Sequence, residues 1–533
     1  MKAVRDSLLA AGHRDRVLVE RLAADGSTAE TYTYDRLAHW AAALHRCLAE
    51  HPCLTEQHRL ADDRSPAEPG GPYATPAGTR IGLVAGNGPE WVAADLALLL
   101  GGLVEVPVPL AFSAGQAASL LREVRLCLAD EAGARKLHEW GLAEGLTIIP
   151  IGEHQGRADT DPRLLPAPSD ERIIKIIHTS GTTGTPKGVK IRAGALGALL
   201  ESLHSVSPPG VYARYLSLVP FSLLIEQVTA VYLPLLSGGR MILLPDSAAL
   251  LGTAGSRADD VVTWMRAARP TAAVLPPAAV SALDKAVRGQ GADADALLGA
   301  GQRPFLMAGG APVDVEAQLR LDAAGLRVHE GYGLSENSSV VSWNTPEHWR
   351  PGTVGRPLPH CRVKLSAEGE LLVTSTSLFA GYTVEDPTSR PVDAEGWLHT
   401  GDRAEIDEDG YIRILGRLKN VIITSHGRNV SPEWVEGNLR SCSAVVDAVV
   451  FGEGMEHLAA VLVTPDDVAA ETAREQARAY AEAHLAETDR PETFVVVPDD
   501  RAFRDTYFTV TGRPRRQLIF DDFVAGTAPA LRG

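Results

Sequence analysis

The chain has 533 residues, 45% of them hydrophobic, and a formal net charge of −16. That length accommodates two or more domains, and the composition is that of a globular protein. The acidic balance argues against nonspecific binding to nucleic acid or an anionic membrane, so a site for an anionic substrate has to gather its positive charge locally. Five cysteines (Cys47, Cys53, Cys127, Cys361, Cys442) are odd in number, scattered and without a CxxC pair, which speaks against a disulfide framework or a zinc site. The opening MKAVRDSLLAAGHRDR lacks the apolar core of a secretory signal. The most apolar run, 96–110, is broken by Glu105, Pro107 and Pro109, and reads as helix, turn and strand rather than a membrane span. A cytoplasmic location is the expectation.

Residues 1–50 read as helical segments around a short strand pair. Tyr32, Thr33 and Tyr34 lead into a helix over 35–50, with Leu37, Trp40, Ala41, Leu44 and Leu48 on one core-facing side. Residues 51–79, rich in proline, glycine and charge, form an exposed connector. An α/β alternation follows: strand 81–84, a helix from Pro89 to 100 with proline suited to its first turn, and strand 104–108. Such alternation implies right-handed βαβ units on a parallel sheet.

The most informative stretch is 173–190, IIKIIHTSGTTGTPKGVK. Ile173, Ile174, Ile176 and Ile177 make the β-branched run of a buried parallel strand. The run breaks into Thr179, Ser180, Gly181, Thr182, Thr183, Gly184 and Thr185. Glycines let backbone N–H groups turn inward around an anion, the hydroxyls add donors, and Lys187 adds charge, which suits a polyphosphate. A Walker loop needs glycine directly before the lysine and Ser or Thr directly after, whereas Pro186 and Gly188 flank Lys187 here.

Downstream, a helix over 193–203 and a strand over 215–219 precede Pro220 to Gln227. Strand 241–244, helix 258–268 and strand 272–275 form a unit closed by Pro276 and Pro277. A short strand at 305–308 ends in Gly309, Gly310, Ala311 and Pro312, and VHEGYGLSENSSV occupies 328–340. Trp397 to Asp402 lead into a hairpin over 403–414 turned at Asp409-Gly410, then Gly416, Arg417, Leu418, Lys419 and Asn420. Strands at 421–424, 445–451 and 459–463, a helix from 433 and an alanine-rich helix at 469–486 make a compact α+β unit.

The loop at 179–187, the string Tyr332-Gly333-Leu334-Ser335-Glu336 and the stretch from Gly401-Asp402 to Lys419 resemble, in that order, the signatures of the adenylate-forming superfamily. Its members are acyl-CoA synthetases, aryl-CoA ligases, luciferases and the adenylation domains of peptide synthetases. The chain is most similar to the fatty acyl and aryl acid ligase branch. The resemblance implies an α/β fold: a large N-terminal domain of parallel-rich βαβ sheets over 1–417 and a small mobile α+β C-terminal domain over 418–533, hinged at Lys419. It also implies activation of an acid by ATP and Mg²⁺ as an AMP adduct, release of pyrophosphate, and transfer to a nucleophile, most often coenzyme A.

Residue by residue, the resemblance places the phosphates on Thr179, Ser180, Gly181, Thr182, Thr183, Gly184 and Lys187. Gly309, Gly310 and Ala311 would line the adenine, where bare backbone admits a flat base. Tyr332, next to Gly333, offers a face for stacking, and Ser335, where threonine is usual, can donate to a phosphate oxygen. Glu336 is a hard oxygen ligand suited to Mg²⁺. Asp402 would accept both ribose hydroxyls, and Arg417 would reach ribose or phosphate. Phe221, Ser222, Leu223 and Gly331 would open the acid pocket, although 221–225 fits plain helix core equally well.

Two departures bear on the chemistry. Leu223 stands where the fatty acyl branch carries histidine, and no aspartate near Ser222 is available for the ammonium of an amino acid. A buried ammonium without a carboxylate is costly, so an apolar or aromatic acid is favoured. Arg513, within Thr511-Gly512-Arg513-Pro514, occupies the position of the family's catalytic lysine. Arginine keeps the charge but is bulkier and planar. Three readings follow: Arg513 does the lysine's work, the first half-reaction is slow or runs on an unusual acid, or the chain binds nucleotide without turnover. The acceptor is coenzyme A first, with a carrier-protein thiol or an amine as alternatives, the last including the case in which nitrite is the acid activated and an aryl amine is diazotised.

Overall fold

A computed structural model describes residues 1–54, 78–156, 160–179, 187–253, 255–290, 293–384, 391–426, 429–508 and 514–525. The helix Tyr34–Glu50 starts where the Thr33 side chain accepts the Arg36 N–H, and it buries Leu37, Trp40, Ala41, Leu44 and Leu48 as the periodicity predicts. It packs on the helix Pro89–Gly101, which is apolar around nearly its whole circumference and is buried on all sides. That helix stops at Gly102, whose left-handed conformation suits glycine.

Among the described residues, one sheet runs in the spatial order Thr147–Pro150, Leu126–Ala129, Arg80–Val84, Val104–Pro107, Ile173–Thr179 and Lys187–Arg192. Its first five strands are parallel and the last is antiparallel. A larger sheet runs Arg356–Pro357, Ser339–Trp343, Val328–Leu334, Phe305–Ala308, Ala272–Leu275, Arg214–Leu216, Arg240–Leu243, Val17–Leu22 and Thr28–Thr33. Its strands are parallel from Val328–Leu334 to Val17–Leu22, with antiparallel edges. An antiparallel sheet of Cys361–Leu365, Glu370–Ser375, Leu398–Ile406 and Ile412–Arg417 completes the larger part of the chain. Beyond it, Asp447–Phe451, Leu458–Thr464 and Pro491–Pro498 form a sheet with its own core on each face. Val435, Leu439 and Leu462 lie on one face, and Val449, Val461 and Phe503 on the other. The α/β class, with parallel-rich sheets first and a small α+β unit last, is as expected from the sequence.

Three local features differ from the sequence reading. Lys187 opens a strand, Lys187–Arg192, instead of belonging only to a loop, and the preceding strand therefore has an antiparallel as well as a parallel neighbour. Pro277 begins a helix, Pro277–Gln290, where a closing turn was expected; proline is accepted in a first helical turn. The strand Pro491–Pro498 was hidden by its terminal prolines, which are tolerated at strand ends. The connector 51–79 lies outside the described residues from 55 to 77.

One charged cluster sits inside the smaller sheet. Lys175 is fully buried, 2.5 Å from Asp95 and also bonded to Glu105, its cross-strand partner, and both carboxylates are fully buried. The Tyr232 hydroxyl donates to Asp95 at 2.7 Å. Among the described residues no helix is long and apolar enough to cross a membrane, and Cys53, Cys127, Cys361 and Cys442 form no disulfide.

Candidate active site

A cleft of about 3980 Å³ separates the large sheets from the C-terminal unit. That exceeds the 300–1,000 Å³ typical of a single small-molecule pocket, so it has room for two substrates. Of the residues singled out in the sequence, Lys187, Phe221, Ser222, Gly310, Ala311, Gly331, Tyr332, Gly333, Ser335, Glu336, Asp402, Arg417 and Lys419 line it. Gly309 lies behind the lining, where an added Cβ would come 3.0 Å from the Gly331 carbonyl oxygen. Leu223 is not a lining residue; it is 41% exposed. Ser180, Gly181, Thr182, Thr183, Gly184 and Arg513 lie outside the described residues, as does the side chain of Thr179.

The two ends of the phosphate-loop sequence are pinned side by side, because Thr179 pairs with Lys187 in the antiparallel ladder. Lys187 thereby projects into the cleft at a defined place, with its Nζ 5.6 Å from the centre of the Tyr382 ring.

The strand Val328–Leu334 turns back as Ser339–Trp343 so tightly that a Cβ on Gly333 would come 1.8 Å from the Ser339 carbonyl oxygen. Glycine is required there. The turn holds Ser338 and Ser339 at φ 55° and 122°, an arrangement that costs about 1–3 kcal/mol per residue and persists only under external constraint. The constraint is visible: the Ser338 hydroxyl donates to the Ser377 carbonyl at 2.7 Å, and the Asn337 amide donates to the Val340 carbonyl at 3.0 Å. This locked turn presents Glu336, whose Oε1 accepts the Tyr382 hydroxyl at 2.8 Å.

Asp402 and Arg417 face each other across the hairpin whose turn was read from Asp409-Gly410. Arg417 Nε lies 2.9 Å from Asp402 Oδ1, and the Tyr332 hydroxyl donates to Asp402 Oδ2. Burial and the Asp402 charge push the Tyr332 hydroxyl far above its usual pKa, so it remains a donor. Glu330, two residues before Tyr332, also lines the cleft and went unread, although it belongs to the same string. Burial raises it to about 8 against the opposing Val313 N–H and Gln318 amide.

The segment after Pro220 divides between pocket and core. Phe221 and Ser222 line the cleft, and Phe221 packs on Trp91 with ring centres 5.0 Å apart. Its backbone is held by Asn87 Oδ1 on the N–H and Gln227 Nε2 on the carbonyl, each at 2.8 Å. From Leu224 the chain is buried core, and Glu226 there is raised to about 8 by burial while accepting from Tyr215 at 2.9 Å.

Among the described residues no group of three or more His, Cys, Asp or Glu is placed to hold a metal. Glu336 alone, with one oxygen fixed by Tyr382, fits a Mg²⁺ that keeps most of its coordination for phosphate and water oxygens.

The family profile described as AMP-binding enzyme matches residues 75–383, and that described as AMP-binding enzyme C-terminal domain matches 419–490. FadD15 of Mycobacterium bovis, a long-chain-fatty-acid–CoA ligase, is 29% identical over 451 residues, covering 74% of this chain and 74% of that protein. FadD11 of Mycobacterium tuberculosis is 30% identical over 339 residues, which are 56% of this chain and 59% of that relative's length. Among solved structures, o-succinylbenzoate CoA synthetase (MenE) from Bacillus subtilis, in complex with the acyl-adenylate intermediate OSB-AMP, superposes with a TM-score of 0.75 at 19% identity over 97% of each chain. ATP-bound MatB from Rhodopseudomonas palustris superposes with a TM-score of 0.76 at 20% identity, over 98% of this chain and 99% of that one. At these identities the two structures share the fold.

Proposed function

The chain belongs to the AMP-binding enzyme family, and from that premise we propose that it is an AMP-forming acid ligase, activating an apolar or aromatic carboxylic acid with ATP and passing the acyl group to a thiol, that of coenzyme A first. The observation that carries this reading is the meeting, in one cleft, of three otherwise distant groups. Asp402 is held between Arg417 and Tyr332, Lys187 stands at the exit of the phosphate-loop sequence, and Glu336 sits on a strained, braced turn. The names of FadD15 and other relatives as fatty-acid ligases support the acid class.

In this reading the ribose hydroxyls donate to the Asp402 carboxylate, whose orientation Arg417 and Tyr332 fix beforehand. The adenine lies along Gly310 and Ala311 and against Tyr332. Lys187 faces the β- and γ-phosphates together with the residues of 179–184. Glu336 would hold Mg²⁺, which when bound neutralises developing charge on the phosphates. The acid enters beside Phe221 and Ser222 with its carboxylate toward the α-phosphorus. One carboxylate oxygen attacks in line, the bond to the bridging oxygen breaks, and pyrophosphate leaves. The protein's share of this step is positioning and charge stabilisation. Arg513 supplies the charge that lysine supplies in relatives. A thiolate then attacks the acyl carbon and AMP leaves. Lys419, in the turn Leu418–Asn420 ahead of the C-terminal unit, is the proposed hinge between the domains 1–417 and 418–533.

The test is pyrophosphate release with Mg²⁺·ATP and a panel of fatty, aryl and cinnamic-type acids, and nitrite with an aryl amine, each with and without coenzyme A. Acid-dependent pyrophosphate and a thioester product are expected. Production of ADP in place of AMP overturns the reading. Nucleotide binding without pyrophosphate from any acid leaves the non-catalytic alternative in its place.

A further inference from the structure

We propose that Tyr382 is a positioning residue for the phosphate and metal end of the cleft, holding Glu336 through its hydroxyl and Lys187 through its ring. The proposal rests on the reading above that Mg²⁺·ATP binds there. Residues 379–383 are an irregular segment, yet their backbone is bonded on two sides. Toward the strand that leaves the phosphate loop, the Ala380 N–H donates to the Lys190 carbonyl at 2.8 Å and the Lys190 N–H to the Gly381 carbonyl at 3.0 Å. The Thr383 N–H donates to the Gly188 carbonyl at 2.8 Å, and the Thr383 hydroxyl accepts the Gly188 N–H at 3.2 Å. Toward the turn that bears the candidate metal ligand, the Phe379 N–H donates to the Glu336 carbonyl at 2.9 Å. One short segment therefore sets the distance between Lys187 and Glu336.

The Tyr382 side chain repeats that link inside the cleft. Its hydroxyl donates to Glu336 Oε1 at 2.8 Å, and its ring centre lies 5.6 Å from Lys187 Nζ. Phe379 meets the ring edge-on at 4.9 Å and fixes its tilt. With Oε1 accepting that hydrogen bond, the other carboxylate oxygen is left to a cation in this proposal. Partners of this kind, which orient a metal's ligand, are typically worth about 10–100-fold in metal affinity. The ring's attraction for an ammonium acts instead on Lys187 and so on phosphate binding.

The two halves separate by substitution. Mn²⁺ serves as the probe, titrated by electron paramagnetic resonance in the presence of an ATP analogue with a methylene between the α- and β-phosphates. Tyr382→Phe keeps the ring and removes the hydroxyl. It should weaken Mn²⁺ binding about 10-fold while metal-free nucleotide affinity stays unchanged. Tyr382→Leu should weaken both. In a Glu336→Gln background, Tyr382→Phe should have no further effect, since it acts through that carboxylate. Thr383→Val, which removes only the side-chain bond to the Gly188 N–H and keeps the backbone bonds of the segment, should leave Mn²⁺ affinity as it was. Unchanged Mn²⁺ affinity in Tyr382→Phe, additivity with Glu336→Gln, or an equal loss in Thr383→Val each overturns the proposal. If the unaltered protein holds no Mn²⁺–nucleotide complex, the ligase reading itself fails and this inference falls with it.

Discussion

Removing the ammonium from the Lys175 cluster should be among the most damaging single changes in the larger part of the chain. Lys175→Met keeps length and volume but leaves Asp95 and Glu105 facing each other, both fully buried. Breaking a buried ion pair in this way costs about 3–5 kcal/mol. The two carboxylates are not equivalent. Burial and the adjacent Asp95 push Glu105 well above the ordinary glutamate value, even against Lys175. Glu105 is therefore the carboxylate expected to hold a proton beside Lys175. Glu105→Gln then replaces a neutral group by a neutral one of the same shape and should cost less than about 1.5 kcal/mol, the net worth of one neutral hydrogen bond. A group raised on folding stabilises fully below its unfolded pKa, 4.5 here, and loses that contribution as pH climbs toward the folded value. Stability of the unaltered protein should therefore fall with rising pH above 4.5, and less steeply in Glu105→Gln. Urea unfolding followed by tryptophan fluorescence reads all three, since Trp91 lies 5.9 Å from Lys175 Nζ. If Glu105→Gln costs as much as Lys175→Met, Glu105 is ionised and the reasoning fails.

Asp402→Ala should raise the ATP dissociation constant about 10–100-fold, the equivalent of about 1.5–3 kcal/mol for charge-assisted hydrogen bonds, as read by isothermal titration. Glu330 is raised to about 8 by burial, so the stability that it contributes is full below its ordinary 4.5 and is lost as pH approaches 8. Glu330→Gln should therefore flatten the decline of the urea midpoint over that range, and an unchanged slope would show that the carboxyl is ionised throughout. Arg513→Ala should slow acid-dependent pyrophosphate release about 10²–10³-fold, the usual loss for one group stabilising transition-state charge. Arg513→Lys should stay within about tenfold of the unaltered protein, because the charge is kept.

Much of this site was legible in the sequence because its signals are local. Tyr-Gly-x-Ser-Glu and an Asp-Gly turn between alternating strands each state a backbone geometry within a dozen residues. The hairpin itself was legible, but its turn alone would set Asp402 opposite Gly416; an irregularity between Arg403 and Ala404 shifts the ladder by one residue and brings Arg417 there instead. The segment after Pro220 was legible only as an alternative between pocket and core, and it is both: Phe221 and Ser222 face the cleft, Glu226 and Gln227 the interior.

Length, composition and the alternation of elements by themselves determined the α/β class and the small α+β unit at the end, while the resemblance carried by the motifs pointed to nucleotide binding and to Lys187, Glu336 and Asp402. The tertiary structure alone decided that Leu223 lies outside the cleft lining, that Lys175 is paired inside a sheet, and that Tyr382 joins Lys187 to Glu336. The physical reason is distance along the chain. Tyr382 and Glu336 are 46 residues apart and Lys175 and Asp95 are 80, and neither partner carries a local pattern naming the other. A hydrogen bond between such residues exists only because sheets and turns with their own local reasons have brought the two together.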